Sequence, residues 1–188
     1  MKIKRIDQFS PRPRTRLIRI STDTGIDGWA ESTLEGKPKS VTAAIEEYSE
    51  YLIGKNPLTI EKHWQQMYRS SFFRGGAHNM SAIAAIDAAL WDIAGKHYNV
   101  PSYNLMGGKV RDKIRVYAHW GLQDLSDESK SASKERLKHL SKLGYTAYKS
   151  GPPGLWRAHE PPSRIDEFVE IAYTLREWVG SEVELCFD

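Results

Sequence analysis

The N-terminal part of the chain alternates apolar and polar residues, and the central part changes to a helical spacing. Alternation over residues 2–9, 15–22 and 26–34 is typical of strands with one buried face. Pro11 and Pro13 predict the first turn, and a glycine-containing turn precedes the third strand. Because consecutive strands joined by short turns pair as hairpins, we expect a three-stranded antiparallel meander.

Apolar residues then recur every three or four positions, which predicts helices. The pattern predicts one helix over about 41–53, a second after Thr59, and a third that begins at the N-cap candidate Ser81. Gly95 weakens the last turns of this third helix, and Pro101 forbids its continuation. Strands followed by a set of helices predict an α+β domain.

Strand and helix patterns alternate after Gly108. The predicted order is a strand over 114–120, a helix over 128–143, a strand over 145–150, a helix over 164–179 and a strand over 183–188. This alternation indicates parallel strands joined by crossover helices.

A spaced set of residues lies between Met80 and Gly108: Ala82, Ala84-Ala85-Ile86-Asp87, Ala89-Leu90, Asp92-Ile93, Gly95-Lys96, Pro101 and Leu105-Met106-Gly107. The set resembles the first signature of the mandelate racemase and muconate lactonizing branch of the enolase superfamily. Ser102 departs from it, because the family usually has an aliphatic residue there. The resemblance implies an α+β N-terminal capping domain over 1–112, followed over 113–188 by strands 1 to 3 of a (β/α)8 TIM-type barrel.

The length of the chain is at odds with a closed barrel. Eight strand and helix units take roughly 250 residues, whereas this chain has 188 residues in total. We therefore expect an open sheet edge, with unpaired backbone groups and apolar interior side chains in water. The chain is interpreted as a fragment, or as one that works beside another chain supplying the missing strands.

Composition argues against several classes of partner. The 27 basic and 24 acidic residues are well mixed and leave a net charge of +3, which does not favour nucleic acid. The basic run from Arg12 to Arg19 is interpreted as a loop and a solvent face. No long apolar run or signal peptide is visible, so we expect no membrane partner and a cytoplasmic location. The single cysteine, Cys186, agrees with a reducing compartment.

The C-terminal ends of the barrel strands are the place to look for chemistry, because active sites lie there in such barrels. The third predicted strand ends at Asp188, whose carboxylate suits a hard cation such as Mg²⁺. The resemblance implies that Asp188 is the first of three acidic metal ligands, with the other two outside this chain. An ordinary surface carboxylate is the alternative.

The second predicted strand ends near Lys149, which could stabilise negative charge on a carboxylate or enolate oxygen. Racemases of the family carry Lys-x-Lys here, and Gly151 stands in place of the second lysine, their proton-abstracting base. This departure argues against paired-lysine racemase or cycloisomerase chemistry. It resembles the acid-sugar dehydratases, especially the galactonate type, whose catalytic histidine would fall just past Asp188. A solvent-exposed lysine is the alternative for Lys149.

Two further residues are candidates for substrate binding. His119, at the end of the first predicted strand, could donate to a hydroxyl or carboxylate, or could pack beneath a loop. Arg74 lies in a segment that resembles a family loop closing over the barrel mouth. It could pair with an acidic substrate or form a salt bridge between domains. His159 and Glu160, in a proline-rich insertion, are interpreted as loop surface.

The resemblance implies an enzyme, a carbon-oxygen lyase. At family length it would be a Mg²⁺-dependent sugar-acid dehydratase that forms an enediolate and yields a 2-keto-3-deoxy acid. The expected partners are a small-molecule acid sugar and further copies in a homo-oligomer. The isolated chain is expected to be inactive, because one metal ligand of three cannot hold the ion. The alternative is a non-catalytic fragment or interaction unit that needs a complementary chain.

Overall fold

The computed structural model describes residues 1–152 and 159–188, which form two compact units, Met1–Val110 and Arg111–Asp188. The division from the sequence was placed two residues later, at 112. Residues 153–158 of the predicted proline-rich insertion lie outside the described part, and beyond them His159 is exposed. In the described ranges, no helix is long and apolar enough to cross a membrane.

The first unit begins with the predicted antiparallel meander. Strands β1 (Ile3–Arg12), β2 (Thr15–Thr22) and β3 (Asp27–Glu31) pair in the order β1-β2-β3. The prediction of a turn at Pro11 was wrong, because β1 continues through it to Arg12. An edge strand tolerates proline, since the missing N–H removes no bond to a second neighbour.

Four helices complete the first unit: α1 (Pro38–Leu52), α2 (Ile60–Arg69), α3 (Ala77–Tyr98) and α4 (Ser102–Leu105). The first three were predicted, whereas α4 was not. The buried side of β2 packs with α1 and α3 into one core. Its fully buried side chains include Ile18, Ile20, Ile45, Leu52, Ile86, Leu90 and Ile93.

The N-terminal end of α3 differs from the prediction. Ser81 is not the N-cap, because α3 begins four residues earlier, at Ala77, after Gly76 with a φ of 80°. At its other end the helix stops at Tyr98, before Pro101 as predicted, and its C-cap Asn99 has a left-handed φ of 55°. Asparagine tolerates this conformation, and it is a common way to end a helix.

Close packing explains why a glycine occupies position 95, inside the last turns of α3. A methyl group there would lie 2.9 Å from the Val100 carbonyl oxygen and 2.9 Å from Ser102 Oγ. The chain leaving α3 therefore folds back closely over this position. Only glycine leaves room for that return without a shift of the backbone.

The second unit alternates strand and helix as predicted. Its elements are β4 (Ala118–His119), α5 (Asp127–Lys142), β5 (Ala147–Ser150), α6 (Pro162–Val179) and β6 (Glu184–Phe187). The three strands are parallel and lie in the order β4-β5-β6. The first strand is much shorter than the predicted 114–120, because residues before Ala118 do not join the ladder.

The two faces of the parallel sheet have opposite character. Ala118, Tyr148 and Leu185 are register partners that pack with α5 and α6. Neighbouring residues in a strand point to opposite faces, so His119 and Lys149 lie on the other face. At this level of the sheet that face carries two polar residues beside exposed Cys186, so the expected exposed apolar side chains occur there only in part. Exposed apolar side chains also occur at Phe187, on α6 and over 110–117.

Candidate active site

Lys149 and Asp188 meet at the C-terminal edge of the parallel sheet. Lys149 pairs in register with Cys186, so the residue that follows β6 lies next to the end of β5. The Lys149 ammonium group forms an ion pair with Asp188 Oδ2. The Lys149 side chain is 26% exposed and that of Asp188 is 65% exposed.

The ion pair with Asp188 affects the pKa of the Lys149 ammonium group. The hydrogen bond to the Asp188 carboxylate raises the pKa of Lys149 above its ordinary value, while partial desolvation opposes the rise. A lysine with a raised pKa stays protonated at neutral pH and is a poor proton acceptor. A protonated lysine can hold negative charge on a substrate oxygen, and this role for Lys149 stays a prediction.

Backbone hydrogen bonds hold the three strand ends together. The Trp120 N–H donates to the Lys149 carbonyl at 2.9 Å, and the Asp188 N–H donates to the Ser150 carbonyl at 3.3 Å. Lys149 thus lies on a short strand that is tied to both neighbours. Such support on both sides favours a fixed position for the charged side chain.

Gly151 lies where the chain approaches Asp188 closely. A methyl group at 151 would lie 3.1 Å from the Asp188 carbonyl oxygen, which is closer than ordinary van der Waals contact. A side chain at this position would require the neighbouring oxygen to shift by a few tenths of an ångström. The glycine that departs from the paired-lysine pattern therefore also has a packing role beside Asp188.

The structure places His119 next to Lys149 as its register partner on β4. His119 is exposed and so is not packed beneath a loop. Its backbone carbonyl accepts a hydrogen bond from Arg136 Nη2 at 3.3 Å, which ties the end of β4 to α5. Its place on the same face as Lys149 is compatible with contact to a shared ligand.

Arg74 belongs to the first unit, in the segment between α2 and α3. Arg74 is exposed, and the preceding Phe72 and Phe73 are 91% and 82% exposed. Gly75 and Gly76 follow it with φ values of 76° and 80°, a left-handed backbone conformation that favours glycine. The contact of Arg74 with an acidic substrate stays a prediction.

The described residues do not form a complete metal centre. Across residues 1–152 and 159–188, no group of three or more His, Cys, Asp or Glu side chains could hold an ion. The oxygen of Asp188 is of the type that Mg²⁺ prefers, but it is one donor of the several that the ion requires. Asp188 therefore fits the role of one ligand within a larger set.

Two polar residues near the strand ends are buried, which the sequence did not predict. Ser150 is 4% exposed, and Ser133 is 6% exposed. Elsewhere, His63 is 2% exposed and hydrogen bonds to Tyr51 at 2.9 Å. Serine and histidine are common on surfaces, so composition and spacing gave no signal for their burial.

Comparisons with known proteins agree with this architecture. Residues 12–107 match the family described as "Mandelate racemase / muconate lactonizing enzyme, N-terminal domain". The D-galactonate dehydratases of Pectobacterium atrosepticum and Cronobacter sakazakii are each 40% identical over 188 residues. These alignments cover 100% of the chain and 48% of each relative, so the chain spans about half their length.

Solved structures share the fold along the whole chain. A candidate dehydratase from Mesorhizobium loti is 32% identical with a TM-score of 0.88, over 100% of this chain and 53% of that one. An enolase and candidate galactarate dehydratase from Agrobacterium radiobacter, bound to Na and L-malate, is 31% identical with a TM-score of 0.83. That match covers 100% of this chain and 48% of the neighbour. The α+β capping domain, the start of a (β/α)8-type barrel and the family match together show that the chain belongs to the mandelate racemase and muconate lactonizing enzyme branch of the enolase superfamily.

Proposed function

We propose that the family-length protein containing this chain is a Mg²⁺-dependent dehydratase of sugar acids. The observation that carries the proposal is the ion pair of Lys149 with Asp188 beside Gly151, at the C-terminal edge of the parallel sheet. The two curated relatives that are 40% identical are D-galactonate dehydratases. Sugar acids of that kind are therefore the first substrates to test.

Asp188 would be one of the ligands of the metal. When bound, Mg²⁺ would supply positive charge for the substrate carboxylate, as enzymes that abstract an α-proton require. Asp188 fits this role because its carboxylate oxygens are of the type that Mg²⁺ prefers and because it directly follows β6. The remaining ligands and the general base belong to parts of the family-length protein outside this chain.

Lys149 would stabilise the negative charge that develops during the reaction. Removal of the α-proton leaves an enediolate, and departure of the 3-hydroxyl, with a proton, as water leaves a 2-keto-3-deoxy acid. A preorganised ammonium group favours the charged transition state over the ground state. His119 could donate to a substrate hydroxyl or carboxylate, and Arg74 could pair with the acid group.

The decisive test is dehydration of acid sugars by the family-length protein with Mg²⁺. We expect Lys149→Met to lower kcat by about 10²–10³-fold, the range for loss of one stabilising donor. Asp188→Ala should remove activity and bound Mg²⁺ together. Asp166→Asn, at an exposed carboxylate of α6, is the matched control and should leave both unchanged. Full activity of the Asp188→Ala protein would disprove the assignment.

The coding sequence beyond the codon for Asp188 provides an independent check. We expect Asp188 to be followed by any residue, then by a histidine and a glycine, with acids at the ends of two later strands. The isolated chain should be inactive, because Asp188 is one ligand of several. A cytoplasmic location, a homo-oligomeric assembly and the absence of nucleic-acid and membrane partners stay predictions.

A second candidate function is that of a non-catalytic interaction unit that joins a complementary chain. It is motivated by the apolar side chains that are exposed on one side of α6: Ile165 at 49%, Val169 at 44% and Tyr173 at 71%. Surfaces of this kind usually mark an interface or an aggregation site. Size-exclusion chromatography with mass measurement tests it, because a stable, well-folded monomer would contradict the need for a partner.

A further inference from the structure

Gly121 and Ser150 contact each other at the ends of β4 and β5. A methyl group at position 121 would overlap Ser150 Oγ and lie 3.0 Å from Ser150 Cβ. Ser150 is 4% exposed, so its side chain has little free space to leave the contact. The absence of a side chain at 121 therefore leaves the space that the Ser150 side chain occupies.

Ser150 is also the residue that links β5 to Asp188. Its carbonyl oxygen accepts the Asp188 N–H at 3.3 Å, and its own hydroxyl donates to the Gly151 carbonyl at 3.3 Å. Lys149 directly precedes it in β5. A displacement of Ser150 would move Lys149 and the backbone bond to Asp188 together.

Gly121 is held on its other side by α5. The Ser133 hydroxyl donates to the Gly121 carbonyl at 3.0 Å, and the indole N–H of Trp120 donates to the Ser133 carbonyl at 2.9 Å. Ser133 and Trp120 are 6% and 2% exposed. Because these buried bonds resist movement of Gly121, an added side chain would push against the Ser150 hydroxyl and Cβ, and through them on the end of β5.

We propose that the Gly121–Ser150 contact is a positioning device that sets the distance between Lys149 and Asp188. Neither residue touches the reacting atoms in this scheme, so both are positioning residues. The proposal deepens the proposed function, on which it rests for the importance of the Lys149–Asp188 pair. The contact itself is independent of that function and can be tested in the 188-residue chain without metal or substrate.

The test combines Gly121→Ala with the exchanged double variant G121A/S150G. Nuclear magnetic resonance would measure the scalar coupling across the Asp188 N–H to Ser150 carbonyl hydrogen bond. It would also measure the nuclear Overhauser contact between the Lys149 and Asp188 side chains. We expect G121A to lose both signals. The double variant should recover them, because it adds a methyl group at 121 and removes the side chain at 150 that this methyl group would overlap.

Two controls keep the outcome clear. Amide resonances of residues 1–110 should be unchanged in both variants, and thermal unfolding of each variant separates a loss of signal at Asp188 from a loss of folding. If G121A unfolds the second unit, the double variant must refold it. Unchanged Asp188 signals in G121A, or failure of the double variant to recover them, would overturn the proposal. Recovery without dehydration by the family-length protein would reject the proposed function and leave the positioning role standing.

Discussion

At the scale of single residues, Asp87 is a half-buried carboxyl group on α3. Burial is the main cause that raises the pKa of Asp87, nearby Glu61 raises it further, and a hydrogen bond from the Trp91 side chain opposes the rise. The folded state therefore binds a proton more tightly than the unfolded state does. The charged Asp87 carboxylate therefore lowers the free energy of unfolding at neutral pH. This destabilisation disappears as pH falls below about 4, because Asp87 is then protonated in both states.

We predict that Asp87→Asn raises the free energy of unfolding at pH 7 and that the gain shrinks towards zero near pH 3. Glu61→Gln should act in the same direction but more weakly, since its charge is the secondary cause. Urea unfolding at both pH values measures the differences. Asp166→Asn, at an exposed position of α6, is the control. A gain for Asp87→Asn that is equal at both pH values would contradict the electrostatic explanation.

Gly28 shows that one residue fixes how β3 meets α3. A methyl group there would overlap the Ala89 carbonyl oxygen and lie 2.7 Å from Ile93 Cγ1. We predict that Gly28→Ala lowers the free energy of unfolding by about 1–3 kcal/mol, as overpacked cores do. Ala43→Ser, at an exposed position of α1, should stay within about 0.5 kcal/mol. Chemical denaturation of both variants is the measurement.

At the scale of elements, hydrogen bonds at the N-terminus of α5 hold the connection between β4 and α5. The Ser126 side chain accepts the Ser129 N–H at 3.2 Å, and this bond caps α5. The Ser129 hydroxyl in turn accepts the Gln123 N–H at 3.1 Å. The cap therefore organises the connection from β4 into α5 as well as the helix itself.

We predict that Ser126→Ala lowers the free energy of unfolding by about 1 kcal/mol, because the Ser129 N–H loses its acceptor. Ser131→Ala, at an exposed position within α5, should have little effect or a slightly favourable one, since alanine is the better helix former. Urea denaturation of the two variants compares them directly. Equal losses would show that the cap contributes nothing specific.

At the scale of the whole molecule, the first unit has its own complete core. The buried residues of this core lie between Ile3 and Ala94, and they come from the sheet, α1, α2 and α3. A domain with its own apolar core can fold independently. The parallel sheet of the second unit differs in having an open edge, because β6 has a partner on one side only within the described sheet.

We predict that residues 1–110 alone unfold cooperatively. Circular dichroism during thermal unfolding of that fragment is the measurement. In the fragment, Ile86→Ala should cost about 2–5 kcal/mol because Ile86 is 0% exposed. Ile53→Ala, at a 45% exposed isoleucine, is the matched control and should cost much less. A fragment without a sigmoidal transition would show that its core needs the second unit.

The sequence by itself determined the order and type of most elements. Alternation and helical spacing are local properties, so the meander, α1, α2, α3 and the later strand and helix order were all predictable. The spaced residues of the signature in and after α3 also indicated the family. Boundaries were less predictable: α3 starts at Ala77 and not at Ser81, because capping depends on how the preceding chain approaches.

Only the tertiary structure decided how the strand ends meet. Lys149 and Asp188 were both singled out from the sequence, but their ion pair depends on the parallel register between β5 and β6. Ser150 and Gly121 gave no sequence signal, since a close approach between distant backbones has no local pattern. Local periodicity therefore predicts the elements and the candidate residues. Packing and register between strands set the distances between those residues, on which the chemistry of the site depends.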